Sequence, residues 1–209
     1  MPEERAYHHG NLRRELLDAA IRLFAERGRF DFTMRELARA AGVTHNAPYR
    51  HFADRWALLD AIAADGFSTL RDMTERAAAP HLDDPRARIE HIGEAYVRFA
   101  GQKPEHFRLM FTRPLENASP ELLASARASF KVLEDTIESA RSAGLLRPGV
   151  KTAEATLAAW SLVHGFASLV VGGQVKASAG KRKALVSGLA SVFRDGAFRS
   201  TRAVERPSR

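Results

Sequence analysis

The chain has 209 residues, no cysteine and a formal net charge of +7. This length allows one or two domains with a substantial core, and the lack of cysteine excludes disulfides and thiolate metal sites. Residues 1–14 contain acids and no apolar run, so we expect no secretory signal. We find no stretch approaching the roughly 20 apolar residues that cross a bilayer. We therefore expect a cytoplasmic protein without a membrane partner.

The positive charge is unevenly distributed along the chain. It is concentrated in residues 172–209, whereas residues 1–171 carry nearly balanced charges. A solubilising tail and a solvated helix face explain this distribution better than a second contact to nucleic acid. Net charge therefore does not support nucleic-acid binding, and we expect residues 199–209 to be a disordered tail.

The first predicted helix has an apolar stripe that runs from Leu12 to Phe24. Gly28 predicts its end, because glycine readily adopts the left-handed conformation that closes a helix. Phe30 and Phe32 follow at once. We expect both rings to pack between this helix and the next one.

A helix-turn-helix pattern spans Thr33–Phe52. Apolar residues recur at helical spacing from Met34 to Ala41, with charged residues between them. Thr33 stands at the N-cap position, and Glu36 follows three residues later, as in a capping box. This segment predicts the first helix of the motif.

Gly42 predicts the tight turn, Val43 fills the angle, and Thr44 can cap a second helix over His45–His51. That helix carries side chains that hydrogen-bond to base edges and phosphates, and its size fits the major groove. Pro48 lacks the N–H that would bond to the carbonyl of Thr44, so we expect an irregular first turn. On residue types alone, an ordinary helical hairpin with a polar face is the alternative.

The remaining chain is also predicted to be helical. A long helix is predicted from Asp54 to about Ala79, and further helices follow Asp84, Pro104, Ser119, Thr152 and Gly180. The expected fold is all-α. Residues 1–60 form a three-helix helix-turn-helix domain, and the long helix joins it to a helical bundle over residues 61–198.

The end of the helix-turn-helix resembles the signature that closes the DNA-binding domain of TetR-family transcriptional regulators. The resemblance rests on Tyr49-Arg50-His51-Phe52, Asp54-Arg55 and Leu58-Leu59, and it begins at Leu17-x-x-Ala-x-x-Leu-Phe-Ala-x-x-Gly28. Arg55 replaces a more usual lysine and keeps the charge expected to touch phosphate. The resemblance implies contacts to double-stranded operator DNA by Thr33, Arg35, Thr44, His45, Asn46, Tyr49, Arg50, His51 and Arg55.

Three separated segments resemble one TetR subgroup, which is marked by a Trp-x3-His-Gly motif in its ligand-binding domain. They are His8–Leu12, Asn46–Phe52 and the run Trp160-x3-His164-Gly165. In that subgroup Pro48 is a regular feature. The resemblance implies a small, largely apolar effector, and the candidate lining residues are Phe67, Leu70, Tyr96, Phe99, Phe107, Met110, Phe111, Trp160 and His164.

Each of these lining residues also has a plainer interpretation. Apolar residues at helical spacing are more often core than pocket, and Trp160 and His164, four residues apart on one helix face, could be a packed core pair. His8 and His9 could extend an arm to the DNA backbone, although a disordered segment is the simpler interpretation.

Helix-turn-helix modules usually read two half-sites about 34–36 Å apart through a two-fold dimer. The last two helices offer small and apolar residues for close packing, so we expect a homodimer there. The alternative is that these faces are buried within one subunit. The candidate interface residues are Ala155, Ala159, Leu162, Leu189, Val192 and Phe193.

The sequence thus predicts a ligand-responsive repressor without a cofactor, a bound metal or catalytic residues. No His-Glu-x-x-His or Gly-x-Ser-x-Gly pattern supports an enzyme. His81, Asp83 and Asp84 could suggest a metal site, but they lie in a turn where aspartate caps a helix. A helical adaptor without DNA binding, and an activator that needs its ligand, are the alternatives.

Overall fold

The computed structural model describes residues 12–112 and 115–198, and this part of the chain is helical. The predicted all-α class is confirmed. The arm at His8 and His9 and the predicted tail over residues 199–209 lie outside the described residues. The helices are α1 (Leu12–Arg27), α2 (Met34–Ala40), α3 (Arg55–Ala78), α4 (Pro85–Gln102), α5 (Pro104–Met110), α6 (Pro120–Ser142), α7 (Thr152–Val171) and α8 (Ala179–Ala197), with 3₁₀ turns at Pro48–Arg50, Ala79–His81 and Leu115–Asn117.

The chain divides into two compact units, and each takes part of α3. The first unit contains the residues up to Phe67 together with Glu105–Ala126, and the second contains Ser68–Pro104 and the residues from Arg127 onwards. The boundary expected after residue 60 therefore differs from the observed one, which lies further along the same helix. The segment Glu105–Ala126, expected in the C-terminal bundle, packs with the N-terminal helices.

The core of the first unit is built from the apolar face of α1 and the helices that follow it. Leu16, Phe32 and Leu37 are fully buried. Phe30 stacks on Phe24 of α1 with ring centroids 3.8 Å apart, so the part of the expectation that places Phe30 against the first helix is confirmed. The core fixes α1 against α2 and thereby the orientation of the helix-turn-helix.

The second unit is organised around α4, which packs against both α7 and α8. Gly93 allows the close approach, because a Cβ placed there would lie 3.2 Å from a side-chain carbon of Val186. Glu90 of α4 accepts a hydrogen bond from Arg194 of α8 at 3.0 Å, which connects these two helices. The buried apolar cluster of this unit includes Ile89, Ile92, Leu133, Ile137, Ala155, Ala159, Phe193 and Phe198.

One expectation about membranes needs correction at α7. By length and composition alone, Thr152–Val171 is apolar enough to cross a bilayer, so the expectation that no stretch is long and apolar enough is wrong. Helices in the cores of soluble proteins can be equally long and apolar, but only 28% of the apolar stretch of α7 is buried. The helix therefore has an apolar face that its own unit leaves exposed.

Candidate nucleic-acid interface and effector site

The first helix of the motif begins and ends as its residues predict. The hydroxyl of Thr33 accepts from the backbone N–H of Glu36, and the Glu36 carboxylate accepts from the backbone N–H of Thr33. At the other end, Gly42 has a φ of 69°. The N–H groups of Gly42 and Val43 bond to the carbonyls of Arg39 and Ala38, which is a Schellman closure. Helix α2 is thus held at both ends by local contacts.

The capping box also bears on the predicted phosphate contact of Thr33. Its hydroxyl donates to the Glu36 carboxylate at 2.9 Å while it accepts from the backbone. The Glu36 carboxylate also accepts from Arg27 at 2.7 Å. Hydrogen bonds from the Thr33 backbone, and then from Arg27, lower the pKa of Glu36 to about 2. Thr33 therefore holds α2 in place, and its phosphate contact stays a prediction.

The predicted second helix is not a regular α-helix. Residues 45–47 form a turn, and Pro48–Arg50 form a 3₁₀ helix. The carbonyl of Thr44 accepts from Ala47, the carbonyl of Ala47 from Arg50, and the carbonyl of Pro48 from His51. Because Pro48 has no N–H, the i→i−4 bond to Thr44 cannot form, and tighter bonds replace it. The irregularity expected for the first turn extends through the segment.

The polar residues of this segment face outwards on a buried base. Ala47, Pro48 and Phe52 are buried, and they fix the backbone of the segment to the first unit. The side chain of Tyr49 is 54% exposed. The other exposed members of the predicted DNA-binding set are Thr33, Arg35, Thr44, His45, Asn46, Arg50 and His51.

Arg55 differs from the other predicted contacts because it is half-buried. Its guanidinium donates to the carbonyl of Phe30 at 3.0 Å and lies 5.0 Å from the ring centroid of Trp56. A planar guanidinium held this way loses little further rotamer freedom when it meets a phosphate. Trp56 lies within the predicted long helix, and the sequence pattern indicates no role for it.

The predicted effector-lining residues fall into both compact units. In the first unit, the ring of Phe111 makes edge contacts with Phe67 and Phe107, and a Cβ on Gly66 would meet the sulfur of Met110 at 2.6 Å. These residues form a tight packing of α3 against α5. The members in the second unit are Leu70, Tyr96, Phe99, Trp160 and His164.

Three of the residues in the second unit form a chain of hydrogen bonds. The Nε1–H of Trp160 donates to the hydroxyl of Tyr96 at 3.4 Å. The hydroxyl of Tyr96 also lies within hydrogen-bond distance of Nδ1 of His164, at 2.8 Å. The other ring nitrogen of His164, Nε2, lies 3.4 Å from the hydroxyl of Ser168. The sequence did not foresee Tyr96 as the link between Trp160 and His164.

Burial favours the uncharged form of both titratable members of this chain. Desolvation raises the pKa of Tyr96 far above its ordinary range, against a smaller lowering by the Trp160 hydrogen bond. Desolvation also lowers the pKa of His164. Phe130 of α6 makes an edge contact with Trp160, with centroids 5.9 Å apart. The result is a short chain of polar groups beside the aromatic ring of Phe130.

The predicted interface residues on α7 and α8 do not share one face. Ala155, Ala159 and Phe193 are buried in the core cluster of their own unit. The prediction that these three residues lie at the dimer interface is corrected accordingly. Leu162 and Val192 are exposed and Leu189 is half-buried. The sequence missed further outward residues on the same two helices, which are Leu157, Gly165, Leu169, Leu185, Gly188 and Gly196.

The turn that could have suggested a metal site has a structural role. Asp84 accepts from the backbone N–H groups of Arg86 and Ala87 and caps α4. His81 stacks on His91 with ring centroids 4.0 Å apart. The capping interpretation of this turn is confirmed.

Both halves of the chain match family models of known regulators. Residues 16–62 match bacterial regulatory proteins of the tetR family, and residues 89–193 match the tetracyclin repressor-like C-terminal domain. The chain belongs to the TetR family. Its helix-turn-helix and its C-terminal helices are therefore the two parts of a TetR-family protein.

Among relatives of this TetR-family chain, the HTH-type transcriptional repressor Rv1474c of Mycobacterium tuberculosis is 40% identical over 79 residues, which is 38% of each chain. The HTH-type transcriptional repressor KstR2 of Rhodococcus jostii is 38% identical over 80 residues, covering 38% of this chain and 39% of that protein. The matches thus span well under half of these relatives. A solved structure from Rhodococcus sp. RHA1, described as a protein with unknown function, is 35% identical with a TM-score of 0.79 and covers 94% of this chain and 100% of that chain.

Proposed function

We propose that this TetR-family chain is a ligand-responsive repressor that binds two-fold symmetric operator DNA as a homodimer. The observation that carries the proposal is the exposed polar row His45, Asn46, Tyr49 and Arg50 on a buried base. Histidine, asparagine and arginine side chains can pair with base edges, while tyrosine and arginine also reach phosphates. The row combines both kinds of contact on one short segment.

The rigidity of the motif supports this assignment. The capping box and the Gly42 closure fix α2, and buried Pro48 and Phe52 fix the segment that follows. Side chains held on such a backbone lose little conformational freedom when they meet DNA. Base contacts by His45 and Asn46, phosphate contacts by Tyr49 and Arg55, and contacts by Thr33, Arg35, Thr44 and His51 are part of the proposal.

The homodimer is proposed on the exposed face of α7 and α8. Gly165, Gly188 and Gly196 lie inside these helices, and a Cβ on any of them would meet no atom within 4 Å. A glycine inside a helix costs about 1 kcal/mol relative to alanine, and no contact among the described residues offsets that cost. Close approach by the same helices of a second copy offsets it and covers the outward Leu162 and Val192.

The effector site is proposed at the hydrogen-bond chain of Trp160, Tyr96 and His164. A chain of polar groups whose uncharged forms are favoured by burial, beside Phe130, suits a largely apolar molecule that carries one polar group; Phe99, which is fully buried in the same unit, is proposed as a further lining residue. The Trp-x3-His-Gly run supports membership of the corresponding TetR subgroup. We propose the rest of the predicted lining, Phe67, Leu70, Phe107, Met110 and Phe111, as residues that respond to the effector through packing.

Effector binding is proposed to change the spacing of the two recognition segments. Helix α3 contributes residues to both compact units, so a displacement at its C-terminal half reaches the DNA-binding end. A coupling free energy of about 1–3 kcal/mol, typical of allosteric proteins, lowers operator affinity roughly 5- to 150-fold. Release of DNA by the effector defines the repressor, and tighter binding in its presence would define the activator instead.

Substitutions in the recognition segment test the DNA-binding part. Fluorescence anisotropy with a selected duplex should show that Tyr49→Ala and Arg50→Ala each weaken binding at least tenfold, a loss of about 1.4 kcal/mol or more. Glu134→Ala, at an exposed position of α6, is the control and should bind as the wild type does. Unchanged binding by both recognition variants would contradict the assignment of the recognition segment, whereas no duplex binding by the wild type would favour the helical adaptor.

A further inference from the structure

Arg13 is an exposed arginine of α1 that lies at the end of the recognition segment, residues 45–51. Its guanidinium carbon is 5.5 Å from the ring centroid of Phe52, the residue that follows this segment. The rings of Phe52 and His51 have centroids 6.4 Å apart, and His51 is an exposed member of the proposed DNA-binding set. These two distances place the charge of Arg13 beside a residue that is proposed to contact DNA.

The guanidinium of Arg13 is engaged by a carboxylate of the same compact unit. It forms an ion pair with Glu121, in the first turn of α6, at an N···O distance of 3.7 Å. The two side chains are 47% and 67% exposed. By contrast, Arg27 and Glu36 approach to 2.7 Å. Because a long and exposed ion pair contributes little to stability, Arg13 can exchange Glu121 for another anion at small cost.

We propose that Arg13 binds a phosphate of the operator and that Glu121 competes with this phosphate for the Arg13 guanidinium. The inference rests on the proposed DNA binding and extends it to a contact outside the recognition segment. A guanidinium donates to carboxylate and phosphate oxygens through the same planar set of N–H groups, so one anion can replace the other. In the free protein Glu121 occupies the guanidinium, and on DNA a phosphate takes its place.

This competition makes the first turn of α6 lower the affinity for DNA. Removing the charge of Glu121 frees Arg13 before DNA arrives, so Glu121→Gln should raise operator affinity roughly two- to fivefold, which corresponds to one exposed ion pair. The gain should shrink as the salt concentration rises, because salt screens exposed charges. It should be the same for specific and non-specific duplexes, since a phosphate contact reads no base.

The phosphate contact of Arg13 has its own signature in the salt dependence. Arg13→Gln should lower affinity roughly three- to tenfold at about 0.1 M salt, and it should reduce the slope of log affinity against log salt by about 0.9, the value for one phosphate. Arg13→Lys keeps the charge and should keep the slope. Loss of a residue that only positioned the Phe52 ring would weaken binding without changing the slope.

The experiment is a titration of a selected duplex with the full chain, read by fluorescence anisotropy over a series of salt concentrations. Glu116→Gln is the matched control, because it removes the same charge from an exposed position of the same unit and leaves the Arg13–Glu121 pair intact. The double variant Arg13→Gln/Glu121→Gln should bind as Arg13→Gln does, since Glu121 acts through Arg13. Thermal melting of each variant checks that it is folded.

Four results are distinguishable. If the wild type binds and Tyr49→Ala weakens binding while Arg13→Gln binds normally, the inference is wrong and the proposed function stands. If Arg13→Gln weakens binding with an unchanged salt slope, Arg13 only positions Phe52, and the phosphate contact is overturned. If Glu121→Gln gains no more than Glu116→Gln, or still raises affinity when Arg13 is absent, the competition is overturned. If the wild type binds no duplex, the proposed function itself fails, and the inference fails with it.

Discussion

At the scale of single residues, Glu36 shows how one carboxylate orders the DNA-facing motif. It accepts from the backbone and hydroxyl of Thr33 and from Arg27, and these bonds lower its pKa from 4.5 to about 2. A carboxyl group whose folded pKa is depressed adds stability above its unfolded pKa. That contribution is lost as the pH falls from about 4.5 towards 2.

We predict that Glu36→Gln makes the stability of the protein less dependent on pH in this acid range. Urea unfolding at a series of pH values between 5 and 3 measures the effect as the slope of unfolding free energy against pH. Glu134→Gln, a matched change on an exposed face of α6, is the control. Equal slopes in the wild type and in Glu36→Gln would show that Glu36 does not cause the pH dependence of stability in this range.

His164 is a base, whereas Glu36 is an acid, but the pKa of both groups is lowered in the folded protein. Both groups therefore make the protein less stable as the pH falls. Burial lowers its pKa from 6.5, so the unfolded chain binds a proton at a higher pH than the folded protein does. Stability therefore falls as the pH drops below about 6.5 and levels off below the folded pKa. We predict that His164→Gln reduces this loss between pH 7 and 5, measured as the melting temperature. If the melting temperature of the variant falls as much as that of the wild type, another titratable group causes the loss of stability.

At the scale of elements, local patterns predicted the helices and failed where one residue changed the hydrogen bonding. Caps and closures such as Asp84 and Gly42 act within a few residues, so the sequence alone places them. The segment after Thr44 was predicted as a helix, and Pro48 converts it into successive turns. The sequence signalled this irregularity, but its extent depends on the burial of Pro48 and Phe52, which is a tertiary effect.

The faces of α7 could not be assigned from its sequence. The helix is apolar over most of its circumference, so periodicity does not distinguish the inward side from the outward side. Ala155 and Ala159 were predicted at the interface and lie in the core. Gly165, which was not chosen, faces open space. Only the packing of α4 against α7 and α8 decides which residues remain exposed.

Gly42 offers a test of the turn between the two parts of the motif. Its φ is 69°, and a Cβ there would meet no atom within 4 Å, so alanine brings backbone strain without a clash. We predict that Gly42→Ala lowers the free energy of unfolding by about 1 kcal/mol or more. Gly180→Ala, in the first turn of α8 and also facing open space, should cause no loss in urea unfolding. Equal stability of the two variants would contradict the left-handed turn.

At the scale of the whole molecule, the proposed homodimer makes the protein able to read two half-sites. Val192 is 66% exposed on the proposed interface of α8. A carboxylate buried there without a partner is strongly unfavourable, so Val192→Asp should convert the dimer into a monomer. Sedimentation equilibrium distinguishes the two states, since one chain has a mass of 23.1 kDa.

The control for this change is Leu82→Asp, at a residue 64% exposed outside α7 and α8. It should sediment as the wild type does. A wild-type monomer, or a dimer unaffected by Val192→Asp, would exclude the proposed face. Loss of the dimer should also weaken operator binding, because a single recognition segment then reads only one half-site.

Selection of binding sites from a random duplex library, with the purified full chain at controlled salt, tests most directly whether this protein is a dimeric operator-binding regulator. We predict enrichment of a palindrome with two half-sites whose centres lie about 34–36 Å apart, or a multiple of that distance. The enriched sequence should be lost with Tyr49→Ala. A library that shows no enriched sequence at moderate salt would contradict DNA binding by the chain alone.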